Sequence, residues 1–237
     1  MTSFVILSEA KNLSKSFMSK FNKIDTIDVI RNTGIVPVFY NQDVELSKKV
    51  VKACYDGGIR AFEFTNRGDG AHRVFKELLA YVRAECPEMA LGAGTILDAP
   101  TAALYIQLGA DFLVSPCLVE EVAPLCNRRG IPYSPGCGTV SEMVRAMELG
   151  CDLVKVFPAG TVGGPAFVKN VLGPLPWAMI MCTGAVEPEE NNLKAWAASG
   201  VTAVGMGSKL FPREVLAKGD WEAVSALCSK CLGWFKK

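Results

Sequence analysis

The feature that most constrains the fold of this chain is a repeat of about twenty to twenty-five residues, which begins near Ile24. Each repeat holds a short apolar run, a turn, an amphipathic stretch and a second turn. Short apolar runs rich in β-branched residues predict buried strands, and the amphipathic stretches predict helices. Strands that alternate with helices in this way form a parallel sheet with the helices packed outside it.

The pattern places eight strands and the helices between them. The predicted strands are Ile35–Phe39, Ala61–Thr65, Ala90–Ala93, Phe112–Ser115, Pro132–Ser134, Leu153–Phe157, Ala178–Cys182 and Ala203–Gly205. The predicted helices are Val44–Asp56, Ala71–Glu85, Ala99–Leu108, Val119–Asn127, Ser141–Leu149, Gly164–Leu172, Glu189–Ala198 and a final Trp221–Trp234. An extra helix near Asp25–Asn32 precedes them, with Asp25 as its expected N-cap and Gly34 as its end.

Glycine follows several predicted helices directly before the next strand, where a left-handed residue ends a helix. These glycines are Gly57 and Gly58, Gly109, Gly130, Gly150 and Gly200. About eight such units in 237 residues match a (β/α)8 TIM barrel, whose usual size is about 250 residues. A doubly wound open sheet is the alternative, but no Gly-x-Gly-x-x-Gly follows the first strand. We therefore predict a TIM barrel with an extra N-terminal helix.

The first residues form a segment of different character. The apolar run at its start lacks a basic flank and is cut short by Glu9, so it does not read as a secretory signal. We expect residues 1–17 to be an extension, disordered or non-native, before a single barrel domain at 18–237.

Charge and cysteine content exclude several classes of protein. A net charge of +1 without a long basic cluster argues against nucleic-acid binding, and the apolar runs are too short to cross a membrane. The nine cysteines show no disulfide spacing. We expect reduced thiols in a cytoplasmic protein. No cluster of His, Asp or Glu has metal-ligand spacing, so no metal is predicted.

Lys155 lies in the middle of the predicted strand Leu153–Phe157. Because side chains alternate along a strand, Leu153, Lys155 and Phe157 share one face of it. In a strand buried on both faces the amine would lose its water, which disfavours its charged form and makes it a nucleophile. The alternative is a lysine at an edge, with its head in water.

Further polar residues fall at the carboxyl ends of other predicted strands, where barrel enzymes place their chemistry. Glu63 faces inward and could move protons, or could pair with Arg60 or Arg67. Arg67 could hold a carboxylate with its guanidinium, or could be a surface cation. Thr95 could offer a hydroxyl to the same carboxylate, or could cap the next helix.

The seventh and eighth strands end in glycine-rich turns, which can present backbone N–H groups to a phosphate. The turn residues are Thr183, Gly184 and Ala185, with Gly205, Gly207 and Ser208. His72, at the start of a helix, is interpreted as a solvated residue, since no Ser or Cys nucleophile accompanies it.

Taken together, these residues resemble the class I aldolases that act on 2-keto-3-deoxy-6-phosphogluconate (KDPG) and 4-hydroxy-2-oxoglutarate (KHG). The resemblance covers about Ile24 to Leu210. It rests on Glu63-x-Thr65-x-Arg67, Gly92-Ala93-Gly94-Thr95, Ser115-Pro116, Pro135-Gly136-Cys137-Gly138-Thr139-Val140-Ser141-Glu142, Lys155-Val156-Phe157-Pro158-Ala159 and Gly205-x-Gly207-Ser208.

The resemblance implies a phosphorylated 2-keto acid as substrate, pyruvate as product, no cofactor and a homotrimer. It implies that Lys155 forms an imine with pyruvate, that Glu63 moves protons, and that Arg67 and Thr95 hold the carboxylate. Pro116 and Phe157 would line the site, and the two glycine-rich turns would hold the phosphate. Family members often have a second glycine where this chain has Ala185.

Three other functions stay open at this point. One is an aldolase for the C4 epimer, 2-keto-3-deoxy-6-phosphogalactonate, although Arg67 favours the gluconate type. Another is a phosphate-binding isomerase or decarboxylase in which Lys155 supplies only a positive charge. The third is a barrel that binds without catalysis, against which the presence of Glu63, Arg67 and Lys155 argues.

Overall fold

A computed structural model describes residues 20–236 of the chain. The extension predicted at 1–17 lies outside the described residues. The strands are β1 (Ile35–Phe39), β2 (Ala61–Thr65), β3 (Ala90–Gly94), β4 (Leu113–Val114), β5 (Tyr133–Ser134), β6 (Gly136–Cys137), β7 (Leu153–Val156), β8 (Met179–Thr183) and β9 (Ala203–Met206). The helices are α1 (Lys23–Thr33), α2 (Val44–Asp56), α3 (Ala71–Glu85), α4 (Ala99–Leu108), α5 (Val122–Arg129), α6 (Val140–Glu148), α7 (Gly164–Leu172), α8 (Glu190–Ala198), α9 (Arg213–Lys218) and α10 (Trp221–Phe235), with a 3₁₀ turn at Ser208–Leu210.

The strands form a closed parallel ring. Their order is β5-β4-β3-β2-β1-β9-β8-β7-β6, and every pairing in the described residues is parallel. The strands at the two ends, β5 and β6, are consecutive halves of one strand separated only by Pro135. The chain itself therefore closes the ring, which gives eight barrel strands with alternating helices. The predicted TIM barrel with an extra N-terminal helix is confirmed.

The fifth strand is longer than its predicted range, Pro132–Ser134, because it resumes at Gly136. Proline has no N–H to give to a sheet, so it interrupts the regular ladder. The carbonyl of Pro135 still accepts a hydrogen bond from the N–H of Lys155, with an N···O distance of 2.9 Å. The first half of the strand pairs with β4 and the second half with β7.

Apolar side chains fill the inside of the ring. The inner cluster comprises Ile30, Val36, Ala61, Ala90, Phe112, Val114, Leu153, Met181 and Ala203. Helix α1 contacts β1, β2, β3 and β9, and its Ile30 belongs to this cluster. A Cβ on Gly92 would lie 2.3 Å from the ring of Phe112, so glycine leaves room for that ring. The alternate strand residues pack outward against the helices.

Most helices end at the predicted glycines. Gly34, Gly58, Gly109, Gly130, Gly150 and Gly200 all have positive φ. The start of α1 differs from the prediction, because its N-cap is Asn22 and not Asp25: the Asn22 side chain accepts a hydrogen bond from the N–H of Asp25. The carboxylate of Asp98 caps α4 by accepting from the N–H of Thr101.

Two short elements between β9 and α10 were not predicted: the 3₁₀ turn and α9. Helix α9 has six residues, none of them buried, so its sequence carries no strong apolar periodicity. Helix α5 also begins later than predicted, at Val122 and not at Val119, while α6 begins one residue earlier, at Val140. No helix in the described part of the chain is long and apolar enough to cross a membrane.

A buried ion pair stabilises the amino-terminal end of β3. Asp111 is completely buried, and Nη1 and Nη2 of Arg83 donate to its two carboxylate oxygens at 2.9 and 2.7 Å. The backbone N–H of Leu91 also donates to this carboxylate at 2.8 Å. These donors compensate the burial of the charge and connect α3 with β3 and the start of β4.

Candidate active site

Lys155 lies on β7 and points into the ring. It is only 5% exposed, and its neighbours in register are Gly136 on β6 and Met181 on β8. Leu153, two residues earlier, belongs to the inner cluster, while Val154 and Val156 pack outward. The buried, inward position predicted for Lys155 is confirmed, and an edge lysine with its head in water is excluded.

Glu63 on β2 faces Lys155. It is 1% exposed, and its Oε1 lies 4.0 Å from Nζ of Lys155. The ring of Phe157 lies beneath the same ammonium, with its centroid 5.2 Å from Nζ. Arg60, one alternative partner of Glu63, pairs instead with Glu88 at 3.1 Å. A carboxylate and an aromatic face thus surround one amine, and both stabilise positive charge there.

A glycine on β3 makes space for the Glu63 carboxylate. A Cβ built on Gly94 would lie 1.9 Å from Oε1 of Glu63 and 2.6 Å from Cδ. Gly94 pairs with Thr65 in the parallel ladder, two residues after Glu63. Any larger residue at Gly94 would therefore displace the carboxylate from its position opposite Lys155.

Three buried side-chain atoms have no hydrogen-bond partner within the described residues: Oε2 of Glu63, Oγ of Ser134 and Oγ1 of Thr183. Ser134 pairs in register with Val114 of the inner cluster, and Thr183 lies two residues after Met181 of the same cluster, so both face inward. Unpaired buried polar atoms are costly, and their position inside the ring fits a site that receives a polar ligand. Sequence reasoning missed Ser134, whose only signal is a polar residue in a buried strand.

The turn after β8 has a left-handed backbone. Gly184 has a φ of +106° and Ala185 a φ of +58°. The carbonyl of Ala185 accepts hydrogen bonds from Nδ2 of Asn192 at 3.2 Å and from Nε1 of Trp196 at 3.3 Å. Helix α8 therefore holds this turn in a conformation that glycine adopts more readily than alanine.

The turn after β9 packs against the turn after β8. A Cβ on Gly205 would lie 2.2 Å from Oγ1 of Thr183, so glycine allows the two strand ends to approach. Gly207 precedes the 3₁₀ turn that starts at Ser208. Lys209, the next residue, forms an ion pair with Glu187 across the two turns. The six turn residues predicted to bind phosphate thus lie together at one edge of the ring.

The other predicted residues lie around this centre. Thr95 follows β3 with a φ of +61°, and it does not cap α4, because Asp98 does. A Cβ on Gly136 would lie 2.2 Å from the carbonyl oxygen of Pro116, so Pro116 lies directly against β6.

Arg67 is exposed and forms no ion pair with Glu63 in the described part of the chain. It lines a polar cleft of about 430 Å³ with Asp69, His72 and Thr101. The exposed Arg67 side chain therefore lies in this cleft, and its role in binding a carboxylate stays a prediction. His72 is half-buried and lines the same cleft.

The sequence matches the family model of KDPG and KHG aldolases over residues 26–227. The chain belongs to the KDPG and KHG aldolase family. Aldolases are carbon–carbon lyases, so the chain is an enzyme of this class. It is 32% identical over 215 residues to the 2-dehydro-3-deoxy-phosphogluconate aldolase of Pseudoalteromonas atlantica, covering 91% of this chain and 97% of that one.

Two further relatives of this aldolase come from other bacteria. The KHG/KDPG aldolase of Escherichia coli K12 is 32% identical over 204 residues, which cover 86% of this chain and 93% of that one. The crystal structure of KDPG aldolase from Legionella pneumophila, with pyruvate captured as a covalent carbinolamine, superposes with a TM-score of 0.77 at 26% identity. That alignment covers 86% of this chain and 96% of that one.

Proposed function

We propose that this chain is a class I aldolase that cleaves KDPG to pyruvate and glyceraldehyde 3-phosphate, and also cleaves KHG to pyruvate and glyoxylate. The observation that carries the proposal is the buried amine of Lys155, 4.0 Å from the buried carboxylate of Glu63 at the mouth of the ring. The family and the Legionella relative with covalently bound pyruvate support the same chemistry.

The first step joins Lys155 to the substrate. The unprotonated amine attacks the C2 carbonyl, and loss of water from the carbinolamine leaves a protonated imine. Glu63 is the acid or base within reach of this nitrogen, and it can take a proton from Lys155 and return one to the departing hydroxyl. The carboxylate of Glu63 and the ring of Phe157 then stabilise the positive charge on the imine nitrogen.

The second step breaks the C3–C4 bond. The imine accepts the electron pair of that bond, so an enamine forms in place of a free carbanion. Glu63 removes the proton of the C4 hydroxyl as the aldehyde leaves, and a proton added at C3 restores the imine. Water then hydrolyses the imine and releases pyruvate.

The remaining predicted residues would bind the two ends of the substrate. We assign the carboxylate to Arg67 and Thr95, which requires the exposed Arg67 side chain to turn from its cleft toward Lys155. Pro116 and Phe157 would border the reacting carbons. The phosphate would bind at the turns after β8 and β9, through Thr183, Gly184, Ala185, Gly205, Gly207 and Ser208.

Borohydride reduction in the presence of pyruvate tests the covalent step. We expect a stable adduct on Lys155, heavier than the unmodified peptide by the mass of pyruvate less one oxygen atom. The Lys155→Ala variant should form no adduct and should release no pyruvate from KDPG. An isomerase or decarboxylase that uses Lys155 only as a charge would give no adduct in either protein.

Kinetics with KDPG, its galactonate epimer and KHG would identify the preferred substrate. We infer KDPG as the main substrate, which would place the enzyme in the Entner–Doudoroff pathway. We also propose a homotrimer, supported by the exposed apolar side chains of Leu97 and Leu104, and a cytoplasmic location, supported by nine free cysteines. Light scattering after size exclusion would measure the oligomeric state.

A further inference from the structure

An ion pair outside the predicted site connects the two glycine-rich turns. Nζ of Lys209 lies 2.9 Å from Oε2 of Glu187. Lys209 directly follows Ser208, and Glu187 follows Ala185 by two residues. The pair therefore lies at the edge of the ring to which the proposed function assigns the substrate phosphate.

The backbone on the Glu187 side of the ion pair is held by Asn192. Oδ1 of Asn192 accepts a hydrogen bond from the N–H of Glu187 at 3.0 Å, while Nδ2 of the same Asn192 donates to the carbonyl of Ala185. One asparagine thus holds both the left-handed turn and the residue that carries the carboxylate. A carboxylate beside a phosphate site would repel the ligand unless a cation compensates its charge.

Lys209 is exposed enough to supply that cation. Its side chain is 68% exposed, whereas that of Glu187 is 29% exposed. A lysine ammonium is a compact charge on a flexible stem, with three donors that can serve two acceptors at once. The contact with Glu187 raises the pKa of Lys209 above its usual value, so the charge is present at neutral pH.

We propose that Lys209 binds the terminal phosphate of the substrate and determines the preference for phosphorylated 2-keto acids, while Glu187 holds its ammonium beside the two glycine-rich turns. This inference rests on the proposed function. It adds a side-chain cation to a phosphate site otherwise built from backbone N–H groups and Ser208. Lys209 does not contact the reacting carbons, so its contribution is to binding and specificity.

The test compares KDPG with 2-keto-3-deoxygluconate, the same molecule without its phosphate. Lys209→Met should raise KM for KDPG by about 10-fold with little change in kcat, because a charge-assisted hydrogen bond is lost. The KM for 2-keto-3-deoxygluconate should stay within about twofold, and Lys209→Arg should restore most of the preference for KDPG.

Lys194 offers a matched control. It is also exposed, at 60%, and is also paired with a glutamate, Glu190, but it lies on α8. Lys194→Met changes the net charge equally and should leave both KM values unchanged. If it raises KM for KDPG as much as Lys209→Met does, the effect is one of general charge, and the inference is wrong.

A double variant separates phosphate binding from charge compensation. If Lys209 contacts the phosphate, Lys209→Met with Glu187→Gln should keep the raised KM for KDPG. A return to the wild-type KM would show that Lys209 only neutralises Glu187, and would overturn the inference. An unchanged KM in Lys209→Met would overturn it while leaving the proposed aldolase intact, whereas a wild-type enzyme that releases no pyruvate from either substrate would overturn both.

Discussion

Replacing Gly94 by alanine should slow the proposed aldolase reaction by about 100-fold, because the new methyl group would occupy space that the Glu63 carboxylate fills. A Cβ on Gly94 would lie 1.9 Å from Oε1 of Glu63, whereas Cβ contacts in proteins essentially never fall below 3.0 Å. Oε1 must therefore retreat by about 1.1 Å. A catalytic group misplaced by about 1 Å can cost on the order of 100-fold in rate.

The comparison variant for this prediction is Glu63→Gln, which removes the proton-transfer group and should lower kcat by about two to four orders of magnitude. Gly94→Ala should fall near the mild end of that range, because the carboxylate is displaced but still present. Gly233→Ala on α10 is the matched control, since within the described residues a Cβ there meets no atom within 4 Å beyond its chain neighbours and the backbone of its own helix. It should keep full activity.

The assay follows pyruvate release from KDPG with lactate dehydrogenase and NADH, at a temperature where circular dichroism shows each variant to be folded. A Gly94→Ala enzyme with kcat within threefold of wild type would refute the reasoning. It would mean either that the Glu63 carboxylate can move by this distance without loss, or that it is not the group that moves the protons.

Three further changes test the packing of the barrel. Ala185→Gly should stabilise the protein by about 1 kcal/mol, because the left-handed φ of +58° is costly for alanine. The Tm should rise by about 2–4 °C. A lower Tm would contradict this prediction. Iodoacetamide should label Cys117 alone in the native protein, because the other eight cysteines are buried; peptide mass mapping that finds another labelled cysteine would count against the packing. Arg83→Met should lower the free energy of unfolding by about 3 kcal/mol in urea, since it removes the Arg83 cation from the buried Asp111 carboxylate. Arg145→Met, which breaks exposed ion pairs, should cost less than about 1 kcal/mol. Equal losses would refute the distinction.

Most of the fold could be predicted from the sequence, because the helix-ending glycines and the apolar periodicity indicate the same alternation of strands and helices. Gly109, Gly130 and Gly150 have positive φ and follow the ends of three helices. Each lies directly before a strand or the turn that leads to it. The fifth strand is longer than predicted because a proline such as Pro135 indicates the end of a strand. The local sequence does not show that the strand resumes after this proline, because Gly136 and Cys137 are held by pairing with Lys155 and Val156 on β7.

The centre of the site was predictable for a simple reason. Lys155 and Glu63 are charged residues within buried strands, and side-chain alternation places both inside the ring. Sequence could not give the direction in which Arg67 points from its turn, because a long side chain on a loop is oriented by contacts and not by periodicity. The pair of Lys209 and Glu187 was missed for a related reason, since it joins two separate turns.

The junction at Pro135 has a consequence for any redesign of the chain's connectivity. At this point β4 and β7 are held in one ring by the two halves of a single strand, directly beside the reactive amine. New chain ends introduced between Ser134 and Gly136, as in a circular permutant, would open the circle where Lys155 needs its neighbours. Ends introduced at the exposed helix α9, across from this junction in the strand order, would leave the two halves of the fifth strand joined and the amine enclosed.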